Sequence, residues 1–587
     1  MKRKYLSLPL AMAALAFTAC GSDDIAPNGN GGSTFADGGY MKVAINLPTD
    51  ASANRAANDN FDDGLESEYS VKNATLILLQ GDTEADAKVH SAYDLSFSPS
   101  GKVNEQITTT SRIVAKADNE IGDKLFALVV LNNNGIVKAD GNKLMVNGED
   151  WSNKSFGDLQ NLTLTQSFTG DGLLMANAAL ATTPGGAQAS EGEVKVLTDV
   201  SGQVYKTEAE AAANPAASIY VERAMAKVTM QPKEGTFDDK SENSELANLT
   251  YKLDGWALDV TNKSSFFLHN TTGMADWKGL ASDLVNANPY RFVGHTPLEN
   301  GVSLYRTYWG IDPNYDKADV TADFNRLVWN DANFSVALGN NAPQYCYENT
   351  FDVANQRNDR TTQAVVRVKV NADGGTFYIV NGDKTKLYTT ENIEKLVNAT
   401  AAAKYGTEVE SWIDALSAEV GKSLEASWKM TFGDRDENGV RPIAGVEAVA
   451  TEAGKTETVG TYTLTADQIS AVSAELKDIT EYTDGYTYYP IRIKHFGDDL
   501  TPWNAGETPT PGAGNVYPEG EQQAARYLGR YGVLRNNWYD LSINSIKGLG
   551  SAVVPSYNGD PDDELYNYIS VRINVLSWAK RSQSADL

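Results

Sequence analysis

Short runs of apolar or alternating residues, closed off by Asn, Gly, Asp or Pro, recur along this chain and restrict it to a fold built mainly of strands. Residues 74–79, 126–131 and 217–230 are of this kind, as are 248–260, 363–370, 374–380, 427–432 and 486–493. Pro490 lacks a backbone N–H, which confines the last of these to an edge or a bulge. Helical patterns are few. One lies around 156–162, one runs from Asn392 to about Lys404, and one covers 466–477, opened by Thr465 and Gln468 at capping-box spacing. They do not alternate with strands as βαβ units would, so a doubly wound parallel sheet does not fit. Residues 181–193 form a turn-rich break, and no fixed-period repeat is visible. At 587 residues the chain is too long for one ordinary domain. The expected fold is mainly β with α additions, as two β-sandwich-like domains in tandem.

The first residues are not part of that fold. Lys2, Arg3 and Lys4 form a positive start, residues 5–17 are almost wholly apolar, and Thr18-Ala19 place small residues before Cys20. This is a secretory signal, and its apolar stretch is too short to span a membrane. Cys20 at the cut allows a lipobox reading, with cleavage before Cys20 and lipid attached to it, against an ordinary signal peptide with a chance cysteine; Phe17 at the third position before the cut is a departure from the commoner leucine. If Cys20 carries lipid, Cys346, the other of the two cysteines, has no intrachain partner and reads as a small buried hydrophobe. Without disulfides, stability has to come from core size. The net charge of −27 repels phosphate backbones, which argues against nucleic acid as a partner.

The two ends of the remaining chain share a pattern. After a Gly/Asn/Ser-rich tether at 25–39, Met41, Val43, Ile45 and Leu47 lie on one face of a period-two run that stops at Pro48. Residues 49–63 are a polar loop around Arg55, the only arginine between Arg3 and Arg112. At the far end, beyond a Gly/Pro/Asp-rich loop at 548–564, Ile569, Val571, Ile573 and Val575 alternate with Ser570, Arg572 and Asn574. Two such strands could serve one groove in turn. Taken alone, the pattern more commonly means two ordinary edge strands.

Signals for catalysis are weak. His90, His269, His295 and His495 are scattered, without metal-ligand spacing. Gly454-Lys455-Thr456 has Val449 where a phosphate loop needs its first glycine, and reads as a hairpin turn. No Gly-x-Ser-x-Gly elbow occurs. The acidic stretches 312–319 and 434–438 lack the later bidentate glutamate of a calcium loop and read as solvated loops. The carboxylates are numerous, but none is singled out as a pair for glycoside hydrolysis. No catalytic residue, metal or cofactor is expected.

Several blocks resemble the fimbrillin family of type V pilins, and among them the Mfa-type major shaft subunit. Residues 220–228 (YVERAMAKV) resemble the family's strand at the domain junction; 345–350 (YCYENT) with 362–368 (TQAVVRV) resemble a middle segment of its second domain; 535–547 (RNNWYDLSINSIK) resemble its late strand; 575–578 (VLSW) and 585–587 (ADL) resemble its C-terminus. Gly21-Ser22-Asp23-Asp24 resembles the acidic signal that sends lipoproteins to the outer face of the outer membrane. The resemblance implies two transthyretin-like domains and no enzyme. It divides the chain into a signal peptide (1–19), a lipidated propeptide with tether and first strand (20–55), an N-terminal domain (56–230), a C-terminal domain with helical insertions (231–564) and a donor-strand segment (565–587). It further implies that a trypsin-like surface protease cuts between Arg55 and Ala56. The strand carrying Met41, Val43, Ile45 and Leu47 then leaves, and the groove takes the strand carrying Ile569, Val571, Ile573 and Val575 from the next subunit. The expected partners are identical subunits head to tail, accessory tip and anchor pilins, and the outer membrane through the lipid before cleavage. Surface adhesion and biofilm formation are the implied roles. The competing readings are a tip or anchor pilin and a glycan- or host-binding lipoprotein that never polymerises.

Overall fold

A computed structural model describes residues 40–46, 65–95, 107–109, 124–165, 172–184, 194–271, 292–496, 528–559 and 569–577, with short breaks inside 194–271, 292–496 and 528–559. Cys20, Leu47, Arg55 and Ala56 lie outside the described residues.

The N-terminal part is organised on one eight-stranded sheet. Its strands are β1 (Val43–Asn46), β2 (Ala74–Gly81), β3 (Lys88–Leu95), β4 (Ile107–Thr109), β5 (Lys124–Leu131), β6 (Met175–Asn177) and β7 (Ala217–Arg223), in the order β3-β2-β5-β6-β7-β1-β4, with Thr198–Asp199 also pairing β5. Three short helices accompany it: α1 (Glu66–Tyr69), α2 (Phe156–Gln160) and α3 (Glu208–Ala213). Leu76, Ile77, Leu78 and Leu79 are consecutive and all fully buried. The reason is that both faces of β2 are covered. Leu76 and Leu78 join Ala127, Val129, Ile219 and Val221 in one cluster; Ile77 and Leu79 join Phe126, Leu128, Val137, Leu144, Phe156 and Leu159 in the other. A doubly covered strand reads as a continuous apolar run, not as alternation.

At Ala224 the chain leaves this sheet and enters the next as β8 (Met225–Gln231), so the run 217–230 is two strands, not one. The second region contains β9 (Thr250–Asp259), β10 (Gln344–Tyr347), β11 (Gln363–Val370) and β12 (Phe377–Val380). It continues with α4 (Thr390–Val420), β13 (Leu424–Phe432), β14 (Ile443–Glu452), β15 (Thr458–Thr463), α5 (Ala466–Leu476), β16 (Ile479–Tyr482) and β17 (Tyr486–Arg492), then β18 (Asn537–Ile546) and β19 (Ile569–Ser577). One four-stranded sheet runs β10-β8-β18-β19; a second contains Phe237–Asp238, β9, β11 and β17 in that order. Val228, Met230, Tyr539 and Leu541 of the first pack with Trp256, Val366, Val368 and Ile491 of the second, which makes a β-sandwich. β17 is an edge strand, as Pro490 requires.

Between the paired strands β12 and β16 sits an insertion with cores of its own, α4 and α5 against the sheet β13-β14-β15. The expected stop near Lys404 is corrected here: α4 runs on through Gly406 to Val420 and ends at Gly421, whose φ of 66° is the left-handed conformation that suits a helix C-cap. An interior glycine costs only about 1 kcal/mol relative to alanine, and Val409 and Ile413 packing on Ala448 and Ala450 outweigh it. α5 carries the expected capping box, Thr465 with Gln468. Residues 454–456 form the turn from β14 to β15, as read from sequence. The chain is thus mainly β with α additions.

Candidate functional site

β1 is a short strand in an unusual position. It runs parallel to β7, with Val43 opposite Ala217 and Asn46 opposite Tyr220, and antiparallel to β4, with Ile45 opposite Ile107. Both backbone edges are therefore occupied. Before it, Tyr40 N donates to Tyr205 O at 2.7 Å, Tyr205 N donates to Tyr40 O at 2.8 Å, and Ala217 N donates to Lys42 O at 2.8 Å. Met41, Val43 and Ile45 are fully buried in the cluster that holds Leu76, Leu78, Ala127, Val129, Met175, Ile219 and Val221. Alternation predicted one buried face. Ala44 and Asn46 on the opposite face are buried too, so both faces of the strand are covered as well as both edges. β4 pairs with β1 alone in its sheet. Withdrawing β1 would uncover the backbone donors and acceptors of β7 together with an apolar floor.

The period-two segment at the far end is β19, as expected. It pairs with β18 alone, at the edge of the β10-β8-β18-β19 sheet. Its register puts Val575 opposite Tyr539, Ile573 opposite Leu541, Val571 opposite Ile543 and Ile569 opposite Ile546. The structure thus seats Met41, Val43 and Ile45 in the first sheet and Ile569, Val571, Ile573 and Val575 in the second. One continuous length of chain, β7 into β8, links the neighbour of β1 to the neighbour of β18.

The junction between the sheets is polar and buried. Glu68 of α1 accepts from Lys227 Nζ at 2.9 Å and from Tyr345 Oη at 2.5 Å. Its backbone carbonyl accepts from Arg223 Nε at 3.0 Å. The Lys227 ammonium also lies 3.7 Å from the centre of the Trp538 ring. Nearby, Glu222 pairs with His269 Nδ1 at 2.8 Å, and Glu348 with Arg535 Nε at 3.3 Å. No sequence motif marks this hub. The one visible signal is Lys227 itself, a charge inside the apolar run 224–230.

Asp312 corrects the reading of 312–319 as a wholly solvated loop. Its carboxylate is buried and accepts from Thr350 N at 2.6 Å, Asn314 N at 2.6 Å and Asn262 Nδ2 at 2.8 Å. Burial pushes its pKa up to about 7. Asp316 and Asp319 of the same stretch are exposed. Among the described residues, no group of three or more His, Cys, Asp or Glu is arranged to hold a metal ion. Cys346 is a free, buried cysteine whose thiol is pushed up to about 12 by burial.

A cavity of about 320 Å³ opens on the β7 face opposite the Ile219 cluster. Ser218 and Tyr220 of β7 line it, with Lys124 and Phe126 of β5, Asp82, Thr83 and Glu84 of the turn after β2, and residues 195–199. Glu84 is nearly buried there; its carboxylate accepts from Leu197 N at 2.7 Å and Val196 N at 3.1 Å, and burial raises its pKa.

Residues 515–584, which include β18 and β19, match the family described as major fimbrial subunit protein type IV, fimbrillin, C-terminal. No curated protein sequence matches the chain. Among solved structures, the chain is similar to a candidate cell adhesion protein from Parabacteroides distasonis, at 10% identity and a TM-score of 0.37, over 93% of this chain and 99% of that one. It is similar also to the tip fimbrial protein Mfa3 from Porphyromonas gingivalis, at 10% identity and 0.25, over 92% and 100%. A fimbrial assembly protein from Parabacteroides distasonis is similar at 12% identity and 0.24, over 72% and 99%. Superpositions this loose decide nothing about function. The family match covers residues 515–584 alone, and there it agrees with the resemblance read from the sequence.

Proposed function

We propose that this chain is a structural shaft subunit of a fimbria, assembled by protease-triggered donor-strand exchange. The precursor reaches the outer membrane as a lipoprotein anchored through Cys20. A trypsin-like surface protease cuts between Arg55 and Ala56, and β1 departs with the lipid. The vacated place beside β7 receives Ile569, Val571, Ile573 and Val575 from the next identical subunit, head to tail. Accessory tip and anchor pilins end the polymer, which serves surface adhesion and biofilm formation.

The observation that carries this reading is the seat of β1. A segment outside the rest of the N-terminal sheet in sequence fills an interior place in it, with both edges paired and Val43 and Ile45 fully buried. An incoming strand of the same period would restore the ladder bonds and refill the apolar floor, which is β-strand addition. Burial of four aliphatic side chains supplies about 6–10 kcal/mol at ~1.5–3 each, and ordering the donor tail opposes part of it. Until the cut, the resident strand blocks the groove.

The test is the N-terminal sequence and mass of the mature protein taken from the cell surface. A start at Ala56 is expected. Material that begins uniformly at lipidated Cys20 with the first strand retained would make the chain an anchored or non-polymerising lipoprotein.

A further inference from the structure

We infer that β4 is a second wall of the groove: it pairs the outer edge of the strand that another copy of this chain inserts. The inference rests on the donor-strand reading above and adds to it an interaction surface which that reading does not require.

A strand added at the margin of a sheet has one neighbour. The place of β1 has two. All four residues of β1 pair with β7, from Val43 opposite Ala217 to Asn46 opposite Tyr220. Three of them pair with β4 as well: Val43 stands opposite Thr109, Ala44 opposite Thr108 and Ile45 opposite Ile107. In sheet order β4 is outermost, and β1 is its partner there. Departure of β1 would therefore leave a slot between two rows of backbone N–H and C=O groups, each of which needs a new partner.

Ladder length decides whether the second row matters. Along its whole nine residues β19 pairs with β18 of its own subunit, from Ser577 opposite Asn537 to Ile569 opposite Ile546. A donor that left β18 for β7 alone would exchange this ladder for the four positions of β1. β4 adds pairing at three of those positions on the other edge. With both walls the exchange comes closer to balance in backbone hydrogen bonds, and the apolar floor of Ile219 and Val221 supplies the rest.

β4 depends on the donor in turn. It is three residues long, and a strand so short keeps its place only as part of a larger sheet. Aligning Met41, Val43, Ile45 and Leu47 with Ile569, Val571, Ile573 and Val575 puts Arg572 in the place of Ala44, between Ser218 of β7 and Thr108 of β4. A slip of two residues keeps the apolar set on the same face and brings Ser570 or Asn574 there instead.

The experiment joins cysteines across the slot with a short bifunctional thiosulfonate, in the full chain cut with trypsin to start assembly. Ala44→Cys with Thr108→Cys in the uncut precursor is the reference, and failure to join there would already remove β4 from the groove. Ser570→Cys, Arg572→Cys and Asn574→Cys are each mixed with subunits carrying Ser218→Cys or Thr108→Cys. Single variants give the background from the buried Cys346. The donor cysteine that joins Ser218→Cys is expected to join Thr108→Cys too, read as covalent dimers on a denaturing gel. If it joins Ser218→Cys while none of the three joins Thr108→Cys, β4 is not a wall and the donor-strand reading stands. If polymers form and none joins Ser218→Cys, the donor-strand reading itself fails. Hydrogen exchange on the unsubstituted protein checks the same point without any variant. Exchange at 107–109 should be as slow in the polymer as in the uncut precursor, and rapid exchange there in the polymer would overturn the inference.

Discussion

Two residues show how burial sets the energetics. Lys227 and Glu68 are a charged pair with essentially no exposure, held by Tyr345 and Trp538. Removing one partner leaves an uncompensated buried charge. Lys227→Met should therefore lower unfolding stability by about 3–5 kcal/mol in urea titrations, while Lys227→Met with Glu68→Leu should recover much of the loss. A single variant as stable as the parent would show that the pair is not buried as described. Asp312 acts through pH. Its ordinary value is 3.8 and burial raises it to about 7, so the folded chain holds this proton more tightly than the unfolded chain does. The group is without cost below about pH 4, and stability falls as pH rises from there through 7. The melting temperature should drop between pH 5 and pH 8, and Asp312→Asn should flatten part of that drop; an unchanged slope would remove Asp312 as its source. Lys227 is visible in the sequence as a charge within an apolar run, but its partner Glu68 lies 159 positions away and nothing local links the two. Nor could the sequence show that Asp312, in an acidic stretch, is turned inward while Asp316 faces solvent.

Elements were more legible than contacts. β1 and β19 both follow from period-two alternation, and α5 from its capping box. The prediction at this scale concerns β19. A carboxylate at Ile573 or Val571 would have to enter an apolar floor, at a cost of several kcal/mol for an unpaired charge. Ile573→Asp or Val571→Asp should stop assembly while secretion continues, read as monomer at the cell surface and loss of pili by microscopy. Normal pili from either variant would remove β19 from the donor role. Where elements were misread, packing had the stronger hand. The helix was expected to end at about Lys404, yet α4 continues because its second half packs on β14. The run 217–230 looked like one strand, yet it divides at Ala224, where the chain changes sheets.

The whole molecule joins a mostly β N-terminal sheet, a β-sandwich and an inserted α/β module. If the cut falls after Arg55, α1 stays on the retained side, fastened through Glu68 to β8. Loss of β1 would then open the groove without loosening this junction. Local order was open to sequence analysis because strand period, helix caps and turn residues are properties of neighbours along the chain. The β-rich class and the two alternating end strands follow from that alone. Only the tertiary structure decided that β1 lies parallel to β7 and is buried on both faces, and that β19 rests on β18. Each of these depends on which segments meet across tens of residues to well over a hundred, and burial, not local pattern, decides those meetings.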